Sequence, residues 1–228
     1  MIKLFCLTYA GGTSKFFQGL SAELPNTIEC IGIDYAGHGV RHKEPLYSCF
    51  NEMVQDISNQ INRNLSFNDR IALLGYSMGS LVAYEIIAKN LLEIKPEKLF
   101  VAAHNAPSIS SINKSYSTMT DEEFVEFILN FGGIDEVFLK NRRFWPIYLP
   151  PIKNDYRLLE QYDFDQEKRI LNLGGGVFYS EEDTPYADIE PWKKVFSENP
   201  PIYKFKGSHF FLKKYENLIA NIIAEAFI

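Results

Sequence analysis

The sequence predicts an α/β protein built on a parallel sheet. Two observations carry that prediction. Short apolar runs alternate with longer segments of helical period, and a glycine-flanked serine falls where one such run meets a helix. The candidate strands are residues 2–9, 28–34, 70–76, 98–103, 175–180 and 201–206. Between them, Phe16, Phe17, Leu20 and Leu24 recur at helical spacing behind a start at Thr13 or Ser14. Leu81, Tyr84, Ile87 and Ala88 do the same after Gly79, and Lys213 to Phe227 reads as a closing helix.

From about Ser108 to Glu167 the alternation stops: helical pieces rich in Phe, Tyr and Leu follow one another with no strand-like run. An insertion in the connectivity of the sheet, at approximately 108–167, is the simplest reading. Thr120 and Glu123 have the spacing of a capping box ahead of Phe124, Phe127 and Ile128, so a helix is expected to open there.

The chain has 228 residues, 46% hydrophobic and 23% charged, which suits a single domain over 1–228 with a sizeable core. Lys plus Arg number 23 against 29 Asp plus Glu, a net charge of −6 that excludes a nucleic-acid binder relying on a basic surface. The apolar N-terminal run from Met1 to Tyr9 is too short for a membrane span or a signal-peptide core, so no membrane attachment and a cytoplasmic location are expected. Cys6, Cys30 and Cys49 are odd in number, lack C-x-x-C spacing and read as buried free thiols in a reducing compartment. Asn64-Leu65-Ser66 and Asn113-Lys114-Ser115 match the glycosylation triplet but carry no weight without an export signal.

Gly75-Tyr76-Ser77-Met78-Gly79 follows the run Arg70 to Leu74 and precedes a helix. That is the setting of a nucleophile elbow, in which a strained turn exposes the serine hydroxyl. Its glycines stand where a β-carbon would collide with neighbouring backbone. The Met78 N–H then opens a helix, where partial positive charge favours an oxyanion. The pentapeptide alone is weakly specific; its placement gives it meaning.

In this architecture the chain order is Ser, acid, His. His104 and His209 both follow Ser77; His209, past the final strand in Gly207-Ser208-His209-Phe210-Phe211-Leu212, is the candidate base. His104 directly follows a strand and is read as a structural or pocket residue, and His38 and His42 as loop residues. The acid belongs after the strand ending at Ser180, where Glu181, Glu182 and Asp183 stand together. Asp183 is the first choice, with Glu182 and Asp188 behind it. A second oxyanion donor is expected from the turn Thr8-Tyr9-Ala10-Gly11-Gly12, with Ala10 ahead of Tyr9. That turn lacks the Gly-Lys-Ser/Thr of a phosphate loop, and Gly174-Gly175-Gly176 precedes its strand, so no nucleotide cofactor is implied.

Taken together, Leu4 to Gly12, Gly37-His38-Gly39 with Arg41 and Glu44-Pro45, the elbow, and Gly207 to Leu212 resemble the type II thioesterases of nonribosomal peptide and polyketide synthases. Asp121 to Phe124 through Phe131-Gly132-Gly133, then Leu149-Pro150 and Asp155-Tyr156-Arg157, are similar to that family's lid. The resemblance spans nearly the whole chain. It implies an α/β-hydrolase fold, a mostly parallel central sheet flanked by helices with a helical lid insertion. It also implies hydrolysis of acyl or aminoacyl thioesters from the phosphopantetheine arm of a carrier protein, with Ser77, His209 and Asp183 as the triad. No cofactor and no metal are implied, and a monomer is expected. The family usually carries Pro at position 8, His at 76, Pro at 36 and Gly at 180, where this chain has Thr8, Tyr76, Ala36 and Ser180. Other readings keep the triad but change the acceptor (acyltransferase, cyclase or small-molecule esterase), or keep only the fold as a binding protein. Residues 137–158 carry Lys140, Arg142, Arg143, Lys153 and Arg157 against Asp155 alone, a basic edge that could steer an acidic carrier.

Overall fold

The computed structural model of the protein describes residues 1–109, 116–132, 140–164 and 170–228. Six strands, β1 (Ile2–Leu7), β2 (Ile28–Ile33), β3 (Arg70–Tyr76), β4 (Lys98–Ala102), β5 (Gly174–Ser180) and β6 (Ile202–Phe205), form one sheet in the order β2-β1-β3-β4-β5-β6. Every pairing between them is parallel. The helices are α1 (Gln18–Glu23), α2 (Phe50–Arg63), α3 (Met78–Ala88), α4 (Asp121–Phe131), α5 (Trp145–Glu160), α6 (Tyr186–Ile189) and α7 (Glu216–Glu225).

Parallel strands need crossovers, and crossovers cover both faces, so strand residues must be apolar on each side. Phe5, Leu7, Ile71, Leu73, Leu99 and Val101 face a core shared with Met53 and Ile57 of α2 and Val82 and Ile86 of α3. Their neighbours Leu4, Cys6, Ala72, Leu74 and Phe100 face a second core with Leu20 of α1 and Ile219 and Ile223 of α7. The six expected strands are all present, within two residues at every end. Thr8 and Tyr9 leave β1 to enter a turn.

Two local readings differ. The three glycines 174–176 lie inside β5, not ahead of it. A β-carbon on Gly175 would stand 1.7 Å from the Leu99 carbonyl oxygen, so β5 can pair with β4 there only without a side chain. Helix α2, which the apolar alternation leaves unnamed, buries Phe50, Met53, Val54, Ile57 and Ile61 on one face. The ends of the chain's first and last helices tighten into 3₁₀ turns at Ser14–Phe17 and Phe211–Lys214. Cys6 is buried, Cys30 half-buried and Cys49 exposed, all free thiols; the exposure of Cys49 departs from expectation.

β1 lies between β2 and β3, so the chain reverses its direction across the sheet at this point. In parallel sheets such a switch opens a crevice at the carboxyl ends of the strands. Here those ends lead into the Tyr9–Gly12 turn and Ser77. The insertion between β4 and β5 contributes α4 and α5, with no strand among its described residues from 108 to 164. The capping box forms as the spacing predicts: Glu123 N–H donates to Thr120 Oγ1 (3.2 Å) and Thr120 N–H to Glu123 Oε2 (2.8 Å). The Asn113-Lys114-Ser115 triplet and Gly133 lie outside the described residues. No helix among the described residues is long and apolar enough to cross a membrane.

Candidate active site

Ser77 caps α3 with φ +53° and ψ −121°. Few residues with a side chain occupy that region, and the surrounding backbone holds this one in it. Ser77 N–H donates to the Ala102 carbonyl at 2.8 Å, and the Ser77 carbonyl accepts from Ser80 N–H at 2.8 Å. Ser80 Oγ braces the turn from below, donating to the Gly75 carbonyl (2.9 Å) and accepting from Ala102 N–H (3.2 Å). A β-carbon on Gly75 would lie 2.3 Å from the Gly79 oxygen, and one on Gly79 2.1 Å from the Leu7 oxygen. Both glycines are therefore steric requirements of the turn, as the sequence pattern suggests.

The three adjacent acids point three ways. Glu181 pairs with Lys204 at the surface, and Glu182 Oε1 accepts from Gly207 N–H at 2.9 Å. Asp183 Oδ1 stands 2.8 Å from His209 Nδ1, with both side chains more than nine-tenths buried. Asp188 lies in α6, where its backbone carbonyl accepts from Ala106 N–H. The acid loop and the histidine loop are further joined by Ser180 Oγ, which donates to the Gly207 carbonyl. Tyr76, fully buried, donates its phenol to the His209 carbonyl at 2.5 Å and packs edge-on against the His209 ring.

Ser77, His209, Asp183 and Ala10 line one cavity of about 220 Å³. Tyr156 of α5 and Phe127 of α4 supply apolar walls, so the insertion forms part of the chamber. Met78 is buried at the first position of α3. His104 also lines the cavity; its Nδ1–H donates to the Asn105 carbonyl at 2.8 Å, and its own carbonyl accepts from Trp192 Nε1–H at 2.9 Å. Burial pulls the His104 pKa down to about 4, so it faces the chamber as a neutral ring.

A second buried histidine–aspartate pair lies behind the Tyr9–Gly12 turn. Asp155, on α5 and 1% exposed, accepts from Gly11 N–H at 2.8 Å and stands 3.0 Å from His38 Nε2 through the same oxygen, Oδ2. His38 Nδ1 lies 3.1 Å from the Ala36 carbonyl. Nδ1 is thus within hydrogen-bond reach of a carbonyl, whereas Nε2 stands at ion-pair distance from the carboxylate without hydrogen-bond alignment, so Asp155 acts on the ring by charge. Burial works against the charged ring, but the Asp155 carboxylate, the Ala36 carbonyl and Asp34 together outweigh it and the His38 pKa is raised. From the sequence, His38 reads as a loop residue and Asp155 as the one acid opposing a basic run, within a segment similar to the family's lid. The missed signal was Asp155 standing beside Tyr156 on the buried face of a helix.

The thioesterase domain model matches residues 2–226. The chain belongs to the thioesterase family. Among curated proteins, the thioesterase is 27% identical over 222 residues to the gramicidin S biosynthesis protein GrsT of Aneurinibacillus migulanus, covering 94% of this chain and 85% of that one. It is 26% identical over 230 residues to the thioesterase PikA5 of Streptomyces venezuelae, covering 98% and 80%. Among solved structures, ClbQ from the colibactin NRPS/PKS pathway superposes with a TM-score of 0.90 at 27% identity, covering 99% of this chain and 96% of that one. The fold is accordingly that of the α/β-hydrolase thioesterases.

The basic edge of the thioesterase is largely paired within the chain. Arg142 meets Glu122 at 2.8 Å, and Lys153 meets Asp121 at 2.8 Å. Arg157 donates to the carbonyls of Tyr47 (2.9 Å) and Ser48 (3.1 Å), tying the C-terminal half of α5 to the loop after β2. Within the run that sums to a positive edge along the sequence, Arg142 and Lys153 are thus met by carboxylates from α4 and Arg157 by backbone carbonyls.

Proposed function

We propose that this thioesterase hydrolyses acyl or aminoacyl thioesters carried on the phosphopantetheine arm of a carrier protein, with Ser77 as nucleophile, His209 as base and Asp183 as its orienting acid. The observation that carries the reading is the 2.8 Å contact of Asp183 with His209 Nδ1 on a cavity that Ser77 also lines. With Nδ1 engaged, Nε2 is the nitrogen left to take the Ser77 proton. The Ser77 oxygen attacks the thioester carbonyl, and the N–H groups of Met78 and Ala10 receive the oxyanion. The thiol leaves with the proton held on His209. A water molecule then gives its proton to His209 and attacks the acyl-serine, releasing the free acid and restoring Ser77.

The carrier-bound substrate is supported by kinship: relatives include a gramicidin S biosynthesis protein and ClbQ from the colibactin NRPS/PKS pathway. In this reading residues 108–167 form the lid, and the phosphopantetheine arm enters beneath it. The test is intact-mass spectrometry of an acyl-loaded carrier protein incubated with wild type and with Ser77→Ala. Loss of the acyl mass with wild type, leaving holo-carrier and free acid, is expected; Ser77→Ala lowers the rate by ~10⁴-fold or more while remaining folded. Near-normal turnover by Ser77→Ala, or an ester, amide or cyclic product in place of free acid, defeats the reading.

A further inference from the structure

Asp155 is a carboxylate at 1% exposure on the insertion, and burying a charge is costly unless its partners recover the loss. Its direct N–H partner is Gly11, in the turn that supplies the proposed oxyanion donor. We infer that Asp155 is a positioning residue that locks the Tyr9–Gly12 turn, and with it the Ala10 N–H, in the orientation the tetrahedral intermediate requires. The inference rests on the reading of Ser77 and Ala10 above and adds a residue of the insertion to that centre.

The turn has two alternatives. Gly12 N–H closes onto the Tyr9 carbonyl at 2.9 Å, which defines a four-residue turn, and Gly11 in third position has φ +81°. That φ belongs to a type II turn; the type I form with the same ends differs by a flip of the Ala10–Gly11 peptide. The N–H of that peptide is the group Asp155 holds at 2.8 Å. A flip would replace this donor with the Ala10 carbonyl and set oxygen against carboxylate. Asp155 therefore selects one of two turn geometries by charge. Ala10 is then fixed from both sides, by β1 through Tyr9 and by the anchored peptide through Gly11, so the Tyr9–Ala10 N–H between them has little freedom.

His38 completes the anchor. Its imidazole stands 3.0 Å from the same carboxylate oxygen and is itself held at Nδ1 by the Ala36 carbonyl. Tyr156, the next residue of α5, lines the cavity beside Ser77. One turn of α5 thus supplies both a wall of the acyl chamber and the anchor of the oxyanion loop. A displacement of this helix would disturb substrate packing and oxyanion stabilisation together.

The test compares Asp155→Ala and Asp155→Asn with wild type in two assays: steady-state hydrolysis of an acyl-loaded carrier protein, and the rate of covalent labelling of Ser77 by a fluorophosphonate, which also develops negative charge at the oxyanion position. Asp155→Ala is expected to lower kcat by about 10- to 100-fold, in line with a misaimed rather than a missing donor, with KM within about twofold. Labelling slows by a similar factor. Asp155→Asn keeps a carbonyl for Gly11 N–H and recovers most of both rates, a rescue that a merely stabilising role would not produce. Unchanged kcat and labelling in folded Asp155→Ala, or a loss confined to KM, overturns the inference. Should Asp155→Ala fail to fold, Asp155→Asn decides: labelling within about fivefold of wild type upholds the inference, and a loss as deep as that of an absent donor, about 100-fold or more, overturns it. Failure of wild type itself to label at Ser77 defeats the underlying reading instead.

Discussion

Two buried histidines in this thioesterase each stand within 3.0 Å of a buried aspartate, yet their chemistry differs. Asp183 holds His209 by Nδ1, and the ring lines the cavity with Ser77. Asp155 meets His38 at Nε2 while the Ala36 carbonyl occupies Nδ1. In the first pair Nδ1 is committed to the carboxylate, and Nε2 is the nitrogen the proposed mechanism uses. In the second Nδ1 faces the Ala36 carbonyl, Nε2 stands beside the Asp155 carboxylate, and that charge favours the protonated ring. The carboxylate beside an imidazole does not make a catalytic base; the nitrogen it leaves over does.

The same substitution in both pairs gives the largest contrast. His209→Gln is expected to lower kcat by ~10⁴-fold or more, since it removes the group proposed to take the Ser77 proton. His38→Gln leaves Asp155 buried without its cation, and breaking a buried pair costs about 3 kcal/mol. Its signature is a lower urea midpoint, with kcat reduced about tenfold or less through the loosened turn. Steady-state kinetics beside equilibrium unfolding checks both. Equal kinetic losses from the two variants would break the distinction.

Exchanging each acid for its amide sharpens it. Asp183→Asn presents an amide to His209 and favours the wrong tautomer, so a fall of about 10⁴-fold in kcat is expected with the fold intact. Asp155→Asn retains an acceptor for Gly11 N–H, and its kcat stays within about fivefold of wild type. A ratio near one between the two amide variants would mean that Asp183 does not act through the tautomer of His209.

What the sequence made legible follows the same division between local and distant. The elbow could be read because Gly75, Ser77 and Gly79 fall within five residues between a strand and a helix, and the backbone that excludes a side chain belongs to α3 for Gly75 and to the neighbouring β1 for Gly79. His209 could be reached by chain order. The choice among Glu181, Glu182 and Asp183 could not, because it depends on Lys204, Gly207 and His209 arriving from another strand. Glycines 174–176 carry no hydropathy signal, so β5 looked shorter at its start than it is. Asp155 was hidden most deeply. Its partner Gly11 is 144 residues away, and a charge count along 137–158 gives every carboxylate the same weight whether it meets water or a buried N–H.

The smallest expected effect separates the pairs by pH. The His38 pKa is raised in the folded protein, because the Asp155 carboxylate, the Ala36 carbonyl and Asp34 together outweigh its burial, with the Tyr35 ring packed edge-on against it. A base whose folded pKa exceeds the unfolded value of about 6.5 adds stability that is complete below that pH. The addition fades as pH rises through the folded value, when the cation is lost from both states. The gap in urea midpoint between wild type and His38→Gln should therefore be widest near pH 6 and narrow toward pH 9. A gap that is constant across this range would mean that His38 is neutral in the folded protein, and that Asp155 is held by Gly11 N–H without a cation behind it.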